Sequence, residues 1–481
     1  MTGKKLPAEK EVTQVNEKQY IFESMPVPKA LANLALPTIL SQLVTMIYNL
    51  ADTYFVGRTN NPYMVAAVSV AYTLFFVLNA LANLFGVGGG SLVSRLLGVG
   101  KQEDAKKVSS FSFYATIVVV FLYSVACLGF MNPLLRLLGA SDNTILYARQ
   151  YLFWVVVVGG IPTTLGMTMA HLLRSAGYAK QASFGLALGG LLNIGLDPLF
   201  MFVILPRGME VAGAAIATMI SNVVALIYFF VVFKKLHGTT VLSIMPGDAL
   251  PDREYLGPIF AVGFPSAIGS LLACVSNMLI NHLAAGYGDI PVAAFGIVKK
   301  IDMLPMNVGM GLCQGMMPLV AYNYAAKNYK RMRESANFAR LCGISFAIVC
   351  IVSFEVFSVG LVRVFISDGA TVEMGARFLR IACLATPFMI INFQMSYTFQ
   401  AMGKGRQSLI LSSCRQGIIN IPLLFAMNIW FGLYGIIWTQ LLADAITAVL
   451  SFTLYLNLHK RLALEESACR SETEDAAVRK A

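Results

Sequence analysis

Asn193 and Asp197 stand four residues apart in the run Asn193-Ile194-Gly195-Leu196-Asp197-Pro198, inside an apolar segment from about Gln181 to Leu205. At that spacing their side chains share one helix face, one turn apart. The segment is long enough to cross a bilayer. An aspartate at the centre of a spanning helix costs roughly 2.5–3.5 kcal/mol on insertion scales. Pro198 removes an amide donor and frees a backbone carbonyl one turn earlier. A carboxylate, an amide and a loosened carbonyl together make a polar niche in an apolar wall, and that chemistry suits a proton or a small cation such as Na⁺.

Asp52 lies about five residues from the far end of the first apolar segment, at a depth where it could meet Asn193 and Asp197. Tyr48, Asn49 and Thr218 are candidate helpers. The second half carries its own embedded charges: Lys299, Lys300 and Asp302 in one apolar segment, Arg415 and Asp444 in two later ones. Lys300 with Asp302 or Asp444 reads equally as a structural ion pair or as part of a ligand path. Interhelical glue is the plain alternative for all of these residues, at about 0.6 kcal/mol per hydrogen bond. His171, one turn from the end of its segment, reads as solvated. Met303, Met306, Met310, Met316 and Met317 share a segment; such a surface packs well and also suits varied apolar ligands.

The elements that must position these residues follow from composition. The chain has 481 residues, 57% hydrophobic and 13% charged, against about 25% charged in a soluble domain. It is an all-α polytopic membrane protein. Its net charge of +11 does not point to nucleic acid, because the basic residues cluster in short connections and do not alternate with aromatics. The eight cysteines are scattered without a CxxC pair and read as small buried hydrophobes. No HExxH, Walker loop or GxSxG is present, so no enzyme constellation appears. The glycines around Gly86-Val87-Gly88-Gly89-Gly90 lie in a membrane run and read as a close-packing surface. No cleavable leader is expected at the polar N-terminus, and no cofactor or metal is implied beyond the ion at the niche.

Twelve spanning segments can be counted, six on each side of a Pro/Gly/Asp-containing connection. The boundaries are a polar N-terminal tail at 1–28, a first lobe at 29–236, a linker at 237–252, a second lobe at 253–459 and a charged C-terminal tail at 460–481, expected to be disordered. Connections on the side of the tails hold Lys101, Lys106, Lys107, Lys234, Lys235, Lys330, Arg331 and Arg333, whereas those opposite hold little beyond Arg58, Arg136, Arg207 and Arg363. That asymmetry puts both termini in the cytoplasm. The halves also repeat. Ala148-Arg149 matches Ala376-Arg377, Pro162 matches Pro387 (225 residues on), Gly177 matches Gly403 (226), and Asn193 matches Asn420 (227). Two six-helix repeats of the same orientation are related by an axis along the membrane normal, with a substrate expected between them.

With Leu36-Pro37, Asp52-Thr53-Tyr54-Phe55-Val56-Gly57, Leu173-Arg174-Ser175-Ala176-Gly177, the Asn193–Pro198 run and Gly213-Ala214-Ala215-Ile216-Ala217-Thr218, the chain resembles the multidrug and toxin extrusion (MATE) family. It is most similar to the bacterial DinF- and MepA-like members. The resemblance covers about Lys29 to Lys460. It implies twelve helices in two pseudo-symmetric lobes, the MATE/MOP-type fold, in the bacterial cytoplasmic membrane. It also implies export of cationic, lipophilic drugs by H⁺ or Na⁺ antiport, by a monomer. It places the coupling ion at Asp52, Asn193, Asp197 and Thr218, with Tyr48 beside them, and a bend at Pro37. The substrate path is expected along Asn49, Met167, Asn277, Lys300, Asp302, Gln394 and Asn420. One departure from the pattern stands out: the acid that NorM-like members carry in helix seven is absent, its mid-to-outer polar residues being Asn277 and Asn281. The alternative is a lipid-linked oligosaccharide flippase of the same superfamily, which would favour a more cationic cavity than Lys299, Lys300 and Arg415 provide.

Overall fold

The computed structural model describes residues 19–59, 61–236, 238–249 and 252–478, and among them every regular element is helical. Apolar runs that must satisfy their backbone without water have little other choice. In chain order the spans are α1 (Val27–Gly57), α2 (Pro62–Gly98), α3 (Gln102–Gly129), α4 (Ile145–Val158 with Gly160–Ser175, bent by 49°), α5 (Ala179–Ile204) and α6 (Glu210–Leu236). The second set is α7 (Arg253–Ala285), α8 (Asp289–Ala325), α9 (Tyr329–Arg363) and α10 (Gly369–Cys383 with Thr386–Ala401, bent by 44°). The remaining helical stretch is interrupted at Gly432, whose φ of 58° and ψ of −140° no ordinary helix holds. It therefore divides into α11 (405–431) and α12 (from 433). Eight helices are long and apolar enough on their own and the two bent pairs add two. The break at Gly432 and the long α8, polar as it is, complete the twelve.

The repeat is visible in how helices end. Gly177 (φ 86°) follows α4 and Gly403 (φ 73°) follows α10. In both places the glycine amide reaches back three residues, and the next amide reaches back five: Tyr178 N to Leu173 O, and Lys404 N to Phe399 O, each 2.8 Å. A left-handed residue satisfies the last carbonyls of each helix in this way, and glycine takes that conformation without steric cost.

The lobes meet along α1 with α8 and α2 with α7, and the contacts are made by glycine. A Cβ on Gly315 would lie 2.4 Å from Ala35 Cα, one on Gly311 2.7 Å from Ile39 Cα, and one on Gly263 2.0 Å from Leu84 O. All of these fall in the half of the bundle nearer the chain ends. Without a hydrophobic force between helices in lipid, such backbone approach is what packs them.

Several expectations need correction. Residues 19–25 are not a free tail: Phe22 is 1% exposed and stacks on Tyr322 at 4.9 Å, and the Arg331 guanidinium donates to the carbonyls of Ile21, Phe22 and Met25. An aromatic ring and three carbonyls offered to one arginine outweigh the local polarity of the segment. Residues 1–18 lie outside the described part. The last helix runs on past Lys460 to Val478, where a disordered tail was expected. The loop after α3 holds a short helix, Met131–Leu137. Finally, the linker is stapled to α3, with Ser110 Oγ and Tyr114 Oη donating to the carbonyls of Met245 and Ile244.

Candidate functional site

Small residues let α5 come close to its neighbours. A Cβ on Gly190 would meet the Tyr48 ring of α1 at 3.0 Å, and one on Gly189 would meet Ala225 of α6 at 3.2 Å. Asn193 and Asp197 sit one and two turns further along this face, 3% and 0% exposed. Asn193 Nδ2 donates to Asp197 Oδ1 at 3.0 Å and to Thr218 Oγ1 of α6 at 3.3 Å. The Thr218 hydroxyl is spent on the carbonyl of Ala214, so it offers Asn193 only a lone pair. Pro198 gives no N–H to the carbonyl of Ile194, and the helix widens into a π turn at Phe200–Ile204 directly afterwards, a feature often found at functional sites.

The result is a niche rich in acceptors and poor in donors. Asp52 Oδ1, Asn193 Oδ1 and Asp197 Oδ2 are all buried without a hydrogen-bond partner. Asp52 and Asp197 are within electrostatic range of each other, and no ion pair reaches either among the described residues. An unmet buried acceptor costs about 1–3 kcal/mol. Three hard oxygens of this kind fit an added proton or a small hard cation, and nothing about them fits a soft metal.

Beside the niche lies a cavity of about 190 Å³ in the first lobe. Its walls include Gln42, Thr45 and Tyr48 of α1, Asn79 and Asn83 of α2, Met167, His171 and Arg174 of α4, Asn193 of α5, Thr218 and Asn222 of α6, and Gln314 of α8. Tyr48 and Met167 stand on this wall, whereas Asn49 is not among the wall residues. His171 is half-buried on the wall rather than free in solvent. Arg174, 4% exposed, donates to Gln314 Oε1 across the lobe boundary at 3.2 Å. Gln42, Asn79, Asn83, Arg174, Asn222 and Gln314 were missed in the sequence. A signal was present: Gln42, Thr45, Asn49 and Asp52 recur every three or four residues, and so do Thr163, Met167, His171 and Arg174. Those stripes, polar but for Met167, run at helical period within apolar helices.

The second lobe uses its polar residues differently. Asp444 accepts from Arg415 Nε at 2.6 Å, Gln440 Nε2 at 2.9 Å and Asn392 Nδ2 at 3.4 Å. Arg415 also lies over the Phe393 ring at 4.5 Å. Asp444 thus pairs with Arg415 and not with Lys300. Neither Lys300 nor Asp302 forms an ion pair among the described residues, while Lys299 lies over Phe295. Asn420 is held between Ser276 and Gln440. Gln394 accepts from Arg340 Nε and donates to the carbonyl of Ala336. Both are at most 1% exposed and bonded to neighbouring helices, and neither is on the wall of the first-lobe cavity. Asn277 is exposed and bonded to its own helix at Ala273 O. Pro37 lies inside an unbroken α1.

The sequence pattern of the MatE family matches the chain twice, at residues 37–199 and 265–426, one match in each lobe. The multidrug export protein MepA of Staphylococcus aureus (strain MRSA252) is 33% identical over 455 residues, covering 94% of this chain and 98% of that protein. Its counterpart in Staphylococcus saprophyticus is 32% identical over 454 residues, with the same coverage. Among solved structures, a MOP superfamily transporter from Pyrococcus furiosus, described as having a binding pocket of reverse polarity, superposes with a TM-score of 0.84 at 25% identity, over 93% of this chain and 98% of that one. An outward-facing multidrug resistance MATE transporter superposes at 0.86 and 24% identity, over 93% of this chain and 98% of that one, and shows the fold alone. With both halves matched and near-complete overlap with MepA, this multi-pass membrane protein belongs to the MatE family of transporters and is MepA-like.

Proposed function

We propose that the chain is a multidrug exporter of the bacterial cytoplasmic membrane, with both termini in the cytoplasm, that expels lipophilic cations in exchange for inward H⁺ or Na⁺. The observation that carries the coupling is the surplus of unmet acceptors at Asp52, Asn193 and Asp197. Ion or proton binding supplies what those oxygens lack, and a neutral niche can then shed water and close. The glycine-mediated contacts near the chain ends support a cycle in which the lobes part and close at that side. Closing the niche, with α1 bending at Pro37, would expel a drug held between the lobes. Releasing the ion to the cytoplasm would recharge the acids and reset the cycle. MepA relatives, named for multidrug export, support the substrate class.

The test is ethidium efflux from proteoliposomes under an imposed pH gradient, then under an imposed sodium gradient. Efflux driven by one of the two is expected in the wild type and lost in Asp197→Asn. Gradient-driven efflux of wild-type rate by Asp197→Asn would remove the coupling assignment. Transfer of a lipid-linked oligosaccharide without drug efflux would favour the flippase reading.

A further inference from the structure

Arg149 and Arg377 hold the same place in the two repeats, near the start of α4 and of α10. Arg377 is neutralised within its own helix, its Nη2 reaching Glu373 Oε1 at 2.6 Å. The position one turn before Arg149 is Ile145, and Arg149 is exposed with no ion pair or hydrogen bond among the described residues. The first repeat therefore keeps a cation that the second cancels.

That cation stands on the wall of a groove of about 550 Å³, between the end of α3, the short helix Met131–Leu137 and the first half of α4. The groove's α4 wall lies wholly on the half of the helix before its bend. A π turn at Phe153–Val158 and the paired Gly159-Gly160 break its axis by 49°, with Gly159 N bonded five residues back to Trp154 O at 2.9 Å. The walls are apolar and face outward: Leu128 is 51% and Leu146 59% exposed, which on a spanning bundle means exposed to lipid. The Phe153 and Trp154 rings pack edge to face at its base. Asn132 and Gln150 add amides at the rim, and Gln150 Oε1 is buried without a donor. Acyl-sized apolar walls, a pair of aromatic rings and one uncancelled arginine form the chemistry of a phospholipid site, with the phosphate on the guanidinium.

We infer that this groove binds one anionic glycerophospholipid of the leaflet opposite the chain termini, its phosphate held by Arg149 and its acyl chain lying against Leu128 and Leu146. The inference is independent of what the protein transports. Native mass spectrometry of the full chain in mild detergent, titrated with phosphatidylglycerol, reads the site directly. Arg149→Gln should weaken the first lipid adduct about fivefold, the worth of one interfacial cation. Arg377→Gln should leave it as in wild type. A Cβ on Gly129 meets nothing within 4 Å, so Gly129→Leu is tolerated by the backbone but fills the groove, and it should weaken the adduct with Arg149 still present. If Arg149→Gln does not fold, that variant alone decides. Glycerol 1-phosphate should not displace the lipid. Wild-type occupancy in both groove variants, an equal loss in Arg377→Gln, or displacement by glycerol 1-phosphate would overturn the site; the last would leave a phosphate-binding arginine only.

Discussion

Asn193 and Asn420 are repeat mates, and each lies near a fully buried aspartate, but the two acids are in opposite circumstances. Asp444 receives Arg415, Gln440 and Asn392, so its charge is matched and its oxygens are filled. Asp197 receives one amide, keeps an oxygen with no partner, and shares its surroundings with a second acid, Asp52. A filled, paired carboxylate holds its surroundings together. An under-filled, unpaired one is a site where something can arrive and leave. One lobe's acid is thus tied into its neighbours, while the other lobe's keeps an unfilled oxygen.

The largest effect that would test this contrast is on stability. Asp444→Ala strands the Arg415 guanidinium in an apolar interior, and breaking a buried pair from one side costs about 3–5 kcal/mol. The expected outcome is a sharp loss of folded protein, seen as a lower thermal midpoint and poor recovery from the membrane. The double variant Asp444→Leu/Arg415→Met should recover most of that loss, because apolar replacement of a whole buried pair is often neutral. Full transport by the double variant would confirm a strut. A well-folded but inactive double variant would show that the second lobe also takes part in coupling.

Asp197→Asn should behave in the opposite sense. The new amide supplies donors to a niche short of them, so the thermal midpoint should rise or stay within about 1 kcal/mol of wild type. Gradient-driven efflux should be lost all the same. A strongly destabilised Asp197→Asn would mean that Asp197 is itself a structural partner, and the contrast between the lobes would disappear.

The contrast was only half legible in the sequence. The fold was readable, since apolar length, the Gly177/Gly403 helix ends and the paired prolines at 162 and 387 are each local properties with one physical meaning. Asn193 and Asp197 were readable because four-residue spacing on a helix forces a contact. The partner of Asp444 was not. Arg415 and Asp444 are 29 residues apart on different helices, and the sequence paired Asp444 with Lys300, where packing chose Arg415. The partners of Gln394 and Asn420 were hidden for the same reason: an amide inside an apolar helix looks alike whether it faces a path or a neighbouring helix. The docking of Phe22 onto Tyr322 was hidden because the segment around it is polar and only tertiary contact with α8 and α9 orders it.

The smallest expected effect concerns a pair of repeat-related acids outside the membrane. Asp142 forms an exposed ion pair with Arg136, whereas Asp368 caps α10, its Oδ2 accepting from Thr371 Oγ1 at 2.6 Å and from Thr371 N at 2.9 Å. Those bonds, the side-chain one first and the backbone one second, hold the Asp368 carboxyl below its ordinary value. A depressed folded value contributes stability that is fully present above the unfolded value, about pH 3.9, and is lost as pH falls through the folded value. Asp368→Ala should therefore melt slightly below wild type at neutral pH, and the gap should close as pH drops below about 4. Asp142→Ala should shift the neutral midpoint less, because an exposed pair contributes little. A gap for Asp368→Ala that widened in acid would have the wrong sign for a charged cap, and the helix start at Gly369 would then have to be held by something other than this carboxylate.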